Sequence, residues 1–376
     1  MRKCWRLQQA EFYPLGALST KKLVRDRPPP HMTREQPLMK TVGLALGKFA
    51  PLHKGHEFVL DTATRQTDEQ VFVIYDSPST TDIPLRIRSD WIRALYPNAR
   101  VIEAWGGPEQ VGLEPETMLK QEDYLVELLG DVKVTHFFSS EEYGNHVAAR
   151  LGAINVSVDI PRLSFPISGT AIRNDSFANR SFISPVVYKD LVLNAVFLGA
   201  PGSGKSTIAE ECSKVFETEF MPEYGREYWE NNNIGRRLTL EQLEEIAKGH
   251  IDREEMKIQL ANRYLFVDTD ASTTSIFAEY YHGSSSEFLI QKSKEASYRY
   301  DLVFLCMPDF AYVETEDRSG EVVRQEFHDR IVDYLKCSKR PYVELYGSVE
   351  ERIQKVGDLL SKTSKFQKLT DWRANA

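Results

Sequence analysis

No run of apolar residues in this 376-residue chain approaches the roughly 18 that a membrane-spanning helix needs. The chain has only four cysteines, and none stands in a C-x-x-C pair or beside a histidine at metal-binding spacing. We therefore expect reduced thiols, no structural zinc and a cytoplasmic protein. The formal net charge is −8, so the chain also lacks the basic excess of proteins that bind duplex nucleic acid.

The first forty residues differ from the rest of the chain. They are basic and contain a run of three prolines at 28–30, and they lack the apolar segment of a secretory signal. We expect residues 1–40 to form a disordered, proline-rich extension, because few of their apolar residues could pack into a core. The alternative is an over-long start, since Met32 and Met39 could each begin the chain.

The rest of the chain has the composition of folded domains, and its length predicts two of them. Hydrophobic residues make up 41% and charged residues 27% of the sequence. Between residues 41 and 190, strand and helix patterns alternate, which predicts a Rossmann-like α/β domain with a parallel sheet. The predicted strands span 42–46, 71–75, 100–102, 134–138 and 156–158, and the predicted helices span 53–65, 86–95 and 122–129.

A second series of the same kind occupies residues 191–376. A buried strand is predicted at 191–198, and it runs into a glycine-rich loop. The other predicted elements are strands at 264–267, 302–305 and 342–345 and helices at 205–216 and 240–261. This pattern predicts a second α/β domain with its own parallel sheet, and a domain boundary near residue 190.

The glycine-rich loop carries a phosphate-binding motif. Residues 199–206 read G-A-P-G-S-G-K-S, which matches G-x-x-x-x-G-K-[ST], with an apolar strand before it and a helix after it. Glycines let backbone N–H groups surround phosphate oxygens, and the helix N-terminus adds partial positive charge. We expect Lys205 to reach the β- and γ-phosphates and the Ser206 hydroxyl to hold Mg²⁺. The alternative is an ordinary glycine turn.

Later segments of this domain have polar side chains that fit a kinase. Asp268 and Asp270 follow a predicted strand, where an aspartate can hold magnesium or accept a proton, or can simply cap the next helix. Glu223 lies where another strand should end, and it could take a proton from a substrate hydroxyl. Arg318 and Arg324 suit a lid over transferring phosphates, although a solvated charged helix explains them equally well.

The first domain carries two further motifs. Residues 47–56 read G-K-F-A-P-L-H-K-G-H, which places His53 and His56 where the first strand meets the first helix. Paired imidazoles there can stabilise a triphosphate under attack at its α-phosphorus, although alone they could be surface residues or part of a metal site. Residues 167–173 read I-S-G-T-A-I-R and predict a second phosphate cradle at the start of a helix. Together the two motifs favour nucleotidyl transfer.

In this order, the motifs resemble a known arrangement. The H-x-G-H and I-S-x-x-x-I-R segments are similar to those of the nucleotidylyltransferase superfamily. The second domain adds P-E-Y-G-R-E at 222–227 and V-D-T-D-x-x-T-T at 267–274, and with it the chain resembles the NadR family. The resemblance covers about residues 41–362. It implies a bifunctional nicotinamide-mononucleotide adenylyltransferase and ribosylnicotinamide kinase.

The resemblance also implies roles for individual residues. The catalytic residues would be His53, His56, Arg173, Lys205, Glu223 and Asp268, with Ser206 and Asp268 on the magnesium ion. The ATP-binding residues would be Gly47, Lys48, Phe49, Ser168, Thr170, Gly202, Ser203, Gly204, Ser206, Thr207, Arg318 and Arg324. The substrate-binding residues would be Tyr224, Arg226 and Asp270 at the riboside, and Glu141 and Tyr143 near an adenine.

The implied activity is NAD salvage, with Mg²⁺ as cofactor and ATP as a substrate of both domains. The kinase would phosphorylate nicotinamide riboside, and the transferase would join AMP to the resulting mononucleotide, giving NAD and pyrophosphate. Some family members begin with a helix-turn-helix domain, but residues 1–40 are too short for one, so DNA binding is not expected. Nor is a membrane partner, whereas a homo-oligomer is compatible with the sequence. The loop also departs from the family's more usual G-x-E-S-x-G-K-S.

Two alternatives stay open on sequence alone. The first is a nucleotidylyltransferase for another phosphate ester, fused to a different small-molecule kinase. The second is a nucleotide-sensing regulator in which one domain is inactive. The intact His53, His56, Lys205 and Ser206 argue against the second alternative.

Overall fold

The computed structural model describes residues 40–108, 114–232, 238–310 and 324–366. The predicted extension, apart from Lys40, lies outside these ranges, as does Arg318. Within them, no helix is long and apolar enough to cross a membrane. The chain from Lys40 onward forms one compact unit that contains two sheets.

The first sheet has five parallel strands within the described residues, in the order β3-β2-β1-β4-β5. The strands are β1 (Val42–Gly47), β2 (Glu69–Tyr75), β3 (Arg100–Ala104), β4 (His136–Ser139) and β5 (Ile154–Ser157). The helices are α1 (Lys54–Gln66), α2 (Leu85–Leu95), α3 (Pro115–Leu129), α4 (Gly144–Leu151), α5 (Gly169–Asn174) and α6 (Pro185–Leu191). Because β1 lies between β2 and β4, the strand order reverses there, and parallel sheets bind ligands at such a point.

The second sheet also has five parallel strands among the described residues, in the order β10-β9-β6-β8-β7. The strands are β6 (Leu193–Leu198), β7 (Glu219–Met221), β8 (Tyr264–Asp268), β9 (Leu302–Cys306) and β10 (Val343–Leu345). The helices are α7 (Lys205–Val215), α8 (Tyr224–Asn232), α9 (Leu240–Lys257), α10 (Ala271–His282), α11 (Glu287–Arg299), α12 (Arg324–Cys337) and α13 (Val349–Leu360). The predicted fold class, two α/β units with parallel sheets, is confirmed.

A single hydrophobic cluster connects the two sheets through α6. It contains Trp91 from α2, Tyr188 from α6 and Ala261, which lies just before β8. The indole N–H of Trp91 donates to the Asp190 carboxylate at 2.8 Å, and the Tyr188 hydroxyl donates to the carbonyl of Ala261 at 2.7 Å. The short helix α6 is therefore hydrogen-bonded to α2 on one side and to the chain before β8 on the other.

Candidate functional sites

The two histidines of the first motif lie together at the start of α1. His53 caps the helix, and its Nδ1 accepts a hydrogen bond from the backbone N–H of His56 at 3.4 Å. The two rings stack with their centroids 3.7 Å apart. Both imidazoles are thus held at the positive end of the helix dipole, where an anion is stabilised.

Both rings are uncharged at neutral pH. Burial lowers the pKa of His53 to about 4, and the nearby Arg162 contributes to this shift. Burial likewise lowers the pKa of His56 well below its usual range, with further contributions from His53 and Arg162. The Nδ1 atom of His56 is buried and has no hydrogen-bond partner among the residues that the structure describes. His56 is therefore a neutral ring with hydrogen-bonding capacity unused in the protein itself.

The depressed pKa of His53 makes stability depend on pH. Between its unfolded pKa of about 6.5 and its folded pKa of about 4, the unfolded chain binds more protons, so acidification through this window lowers the free energy of unfolding. We expect His53→Asn, which keeps a capping acceptor, to lose less stability than the wild type between about pH 7.5 and about pH 5. Urea unfolding at both pH values measures this difference, and equal losses would contradict the assignment.

The loop before the histidines is held by its own side chains. Phe49 has a positive φ of 45° and a ring that is only 3% exposed, packed edge-on against His56 at 5.1 Å. A side chain at Gly47 would meet that ring at 3.2 Å. Phe49, predicted to bind ATP, is therefore a buried residue whose ring packs against His56. Lys48 donates from Nζ to the Thr80 hydroxyl at 3.0 Å.

The second motif of the first domain packs directly on this loop. Ser168 caps α5 by accepting the N–H of Ala171 at 3.2 Å. Arg173 donates to the carbonyl oxygen of Ala50 and, at 2.9 Å, to the Thr170 hydroxyl. The structure thus brings together two motifs that lie more than a hundred residues apart in sequence.

An arginine that the sequence did not suggest also belongs to this site. The positive charge of Arg162 helps to lower the pKa of both histidines, and its guanidinium lies 3.6 Å from the carboxylate of Glu141. Glu141 and Tyr143 follow β4, beside the loop after β1. Glu141 is exposed, whereas burial raises the pKa of the Tyr143 hydroxyl to about 12. Nothing in the motif spacing distinguishes Arg162 from other loop arginines, since its position depends on how the loop folds.

The phosphate loop of the second domain lies between β6 and α7. Gly202 and Gly204 have φ values of 75° and 83°, which side chains rarely adopt, so glycine is required at both positions. Lys205 begins α7 and is 7% exposed. The Ser203 hydroxyl is fully buried, whereas Thr207 is exposed. The conformation of the two glycines and the start of α7 at Lys205 are therefore those expected of a loop that encloses phosphates.

Two carboxylates lie beside Lys205. Its Nζ is 3.9 Å from the carboxylate of Glu223, whose side chain is 24% exposed just after β7. Asp268 ends β8 and is 1% exposed. Burial raises the pKa of Asp268, and Glu223 adds to this effect, while Lys205 and a hydrogen bond from Ser206 oppose it.

The same corner of the site fits a magnesium ion. Oδ1 of Asp268 is buried and accepts no hydrogen bond from the part of the chain that the structure describes. The Ser206 hydroxyl is within hydrogen-bonding reach of this carboxylate. No cluster of three or more histidine, cysteine or acidic side chains occurs in the described ranges. One carboxylate and one hydroxyl nevertheless suffice for Mg²⁺, which keeps waters and substrate phosphates as its other ligands.

Asp270, predicted to bind the substrate, is used for structure. It caps α10 by accepting the backbone N–H groups of Ser272 and Thr273, and it forms a 2.7 Å ion pair with Arg340. Both charged side chains are almost fully buried. The carboxylate thus has little capacity left for a substrate hydroxyl, which corrects that prediction and favours the capping alternative.

The other predicted kinase residues lie at the rim. The Tyr224 ring packs over Gly249, where an added Cβ would approach within 2.4 Å, and the Arg253 guanidinium lies 3.9 Å from the ring centroid. Arg226 is exposed on α8. Arg324 begins α12, and it donates to the carbonyl of Gly202 at 2.9 Å. The predicted lid arginine is therefore in contact with the phosphate loop itself.

The chain is similar to known proteins over most of its length. A protein family described as an AAA domain matches residues 194–352. The trifunctional NAD biosynthesis/regulator protein NadR of Escherichia coli (strain K12) is 28% identical over 336 residues, which cover 81% of this chain and 79% of the relative. The protein of the same description from Salmonella typhimurium (strain LT2) is 28% identical over 330 residues, with the same coverage.

Two solved structures share the fold. A NadR protein in complex with NR has a TM-score of 0.55 and 22% identity, covering 86% of this chain and 96% of that one. A NadR protein in complex with NAD and AMP-PNP has a TM-score of 0.52 and 22% identity, covering 88% and 97%. These relatives and structures confirm the resemblance to NadR proteins that the motifs predicted.

Proposed function

We propose that this chain is a NadR-type enzyme of NAD salvage with two activities. Residues 41–190 transfer AMP from ATP to nicotinamide mononucleotide, and residues 191–376 phosphorylate nicotinamide riboside with ATP. One observation carries the proposal. Each sheet has its own nucleotide loop after its central strand, β1 or β6, and the second motif of each domain contacts that loop. The similarity to NadR proteins selects the pyridine nucleotide among possible substrates.

In the transferase step, a phosphate oxygen of the mononucleotide attacks the α-phosphorus of ATP. A new P–O bond forms, the bond to the β-phosphate oxygen breaks, and pyrophosphate leaves with its electron pair. His53 and His56 lie at the N-terminus of α1, where they can donate hydrogen bonds to the phosphates as charge shifts toward the leaving group. Lys48 and Arg173 supply positive charge at the same loop. Catalysis is then mainly positioning and charge stabilisation.

In the kinase step, the 5′-hydroxyl oxygen of the riboside attacks the γ-phosphorus of ATP, its proton passes to a carboxylate, and ADP leaves. Magnesium, when bound, neutralises charge on the β- and γ-phosphates. Ser206 and Asp268 would hold it. Lys205 lies within reach of Glu223 and acts electrostatically on Asp268, so one ammonium group faces both acids.

We assign the base to Glu223 and the magnesium side to Asp268. The Glu223 side chain is 24% exposed, so an incoming hydroxyl can reach it. Asp268 is 1% exposed and lies within hydrogen-bonding reach of Ser206, so a small metal ion can reach it more easily than a bulky riboside can. The difference in burial is therefore the physical reason for separating the roles of the two carboxylates.

The two acids can be separated by variants that keep size and hydrogen bonding. Glu223→Gln removes basicity, so it should lower kcat for riboside phosphorylation by on the order of a hundredfold while weakening ATP binding little. Asp268→Asn should instead raise the magnesium concentration needed for the half-maximal rate. Steady-state kinetics over a magnesium titration measure both. Near-normal kcat for Glu223→Gln, with a loss in Asp268→Asn that saturating magnesium does not restore, would reverse the roles.

The function itself is tested by incubating the protein with ATP, Mg²⁺ and nicotinamide riboside and identifying products by mass. We expect nicotinamide mononucleotide and ADP, followed by NAD and pyrophosphate. A panel of other ribosides and phosphate esters, assayed in parallel, identifies a different substrate if one is preferred. Turnover of another acceptor, with none of the pyridine compounds, would overturn the proposed substrate while leaving the two reaction types in place.

A further inference from the structure

A buried arginine on α2 holds the first nucleotide loop. Arg88 is 1% exposed, and it donates to the carbonyl oxygen of Lys48 at 2.6 Å. It also donates to the carbonyls of Tyr75 at 2.9 Å and Ile83 at 3.0 Å, and its other amino group is 3.9 Å from Asp76. Its guanidinium thus connects the loop after β1 to the end of the neighbouring strand β2.

A buried arginine on α13 does the same for the second loop. Arg352 is 2% exposed, and it donates to the carbonyl oxygen of Ser203 at 2.9 Å. It also donates to the carbonyls of Met307 at 2.9 Å and Gly347 at 3.1 Å, and it forms an ion pair with Asp309. Its guanidinium thus connects the phosphate loop to the chain after β9 and β10.

The two arrangements share a physical logic. A loop that directs N–H groups at phosphates leaves carbonyl oxygens that need donors of their own, and a guanidinium supplies several donors in one rigid plane. Lysine carries the same charge but cannot span three carbonyls in fixed directions. Burying an arginine is costly unless its donors are used. The N–H donors of Arg88 and Arg352 are directed at protein oxygens, so neither arginine is arranged to bind a phosphate.

We propose that Arg88 and Arg352 are positioning residues, each of which fixes the phosphate-binding conformation of one loop. This inference rests on the proposed function only in that the two proposed reactions serve as its activity assays. Because a preformed loop binds ATP in the ground state and in the transition state alike, its loss raises KM for ATP more than it lowers kcat. Each arginine serves its own loop, so the two effects fall on different reactions.

The test crosses two variants with two assays. Arg88→Lys should raise KM for ATP in adenylyl transfer by about tenfold, as expected for the loss of a charge-assisted hydrogen bond, and leave riboside phosphorylation within about twofold. Arg352→Lys should show the reverse pattern. Titration with a nonhydrolysable ATP analogue should show weaker binding at one site and unchanged binding at the other. This titration needs no acceptor, so it stays informative if the pyridine substrates are wrong.

Matched controls come from the same helices. Arg93→Lys on α2, where Arg93 pairs with Asp90 and Glu103, and Lys355→Met on α13 should leave both reactions and both binding sites unchanged. Equal loss of both activities in either arginine variant, or no change in KM and analogue binding, would overturn the inference.

If Arg352→Lys does not fold, Asp309→Asn removes the charge beside Arg352 and should raise KM for ATP in the kinase alone. An unchanged kinase KM in that variant would also count against the inference. Wild-type protein without either activity would instead refute the proposed function.

Discussion

Replacing Lys205 by alanine is expected to abolish phosphorylation of nicotinamide riboside and to spare adenylyl transfer to added mononucleotide. Lys205 is 7% exposed, so its charge acts in a site with little water, where removing it costs more than at a surface. It lies 3.9 Å from Glu223, and its charge opposes the rise that burial causes in the pKa of Asp268. The substitution therefore removes the positive charge that neutralises the transferring phosphoryl group, and it leaves two acidic side chains near that group.

The expected cost to the kinase barrier is about 3 kcal/mol or more, which is a loss in kcat of about a hundredfold or more. Product formation from riboside and from mononucleotide, measured separately on the same preparation, shows whether only one reaction is lost. Lys214→Ala on the same helix removes an exposed lysine that pairs with Glu210 and Glu211, and it should change neither reaction. Unchanged riboside turnover in Lys205→Ala would refute the assignment of the phosphate loop.

The sequence predicted the strands better than it predicted the helices. Buried strands such as β6 and β9 are continuous apolar runs bounded by polar residues, which is a local signal. Helix α3 begins at Pro115 rather than near residue 122, so it is longer than predicted. The prediction missed its start because the first turn is polar and exposed and lacks an apolar pattern. The bounds of helix α10 were not predicted, although capping of a helix by an aspartate was one interpretation of Asp268 and Asp270. This helix is buried on several sides and rich in serine and threonine, so it lacks an amphipathic repeat.

The order of the strands within each sheet could not be predicted from local sequence patterns. Glu223 follows β7, which is second in sequence in its domain but lies at the sheet edge, with β8 between it and β6. Glu223 and Asp268 nevertheless both lie close to Lys205, because all parallel strands of a sheet end at the same edge. The sequence thus predicted which edge carries the site without predicting the neighbours within the sheet.

The contacts that hold the site together depend on packing between distant segments. Arg340 pairs with Asp270 across 70 positions, and Arg352 reaches Ser203 across 149. Neither arginine stands in a motif: Arg340 lies in the loop after α12, and Arg352 lies on the amphipathic helix α13. Motif chemistry therefore identifies groups that face a ligand, whereas the residues that position them become visible only when the fold is known.

Replacing His56 by alanine is expected to lower NAD formation from mononucleotide by about a hundredfold, which corresponds to about 2.7 kcal/mol of transition-state stabilisation. The ring is held between His53, stacked at 3.7 Å, and the edge of Phe49 at 5.1 Å, so its orientation is fixed before ATP binds. Burial keeps it neutral, and its buried Nδ1 has no partner within the described chain. Alanine removes this preorganised group and leaves α1 in place, because the helix is capped by His53.

The kinase reaction on the same chain provides the internal reference for His56→Ala and should stay within about twofold, since the phosphate loop belongs to the other sheet. His136→Ala is the matched control, because His136 begins β4 and therefore lies at the opposite end of that strand from Glu141 and Tyr143. We expect that control to keep adenylyl transfer. Loss of both activities in His56→Ala together with a lower melting temperature would show that His56 stabilises the fold, because a group that acts only on the α-phosphate cannot slow phosphorylation of the riboside.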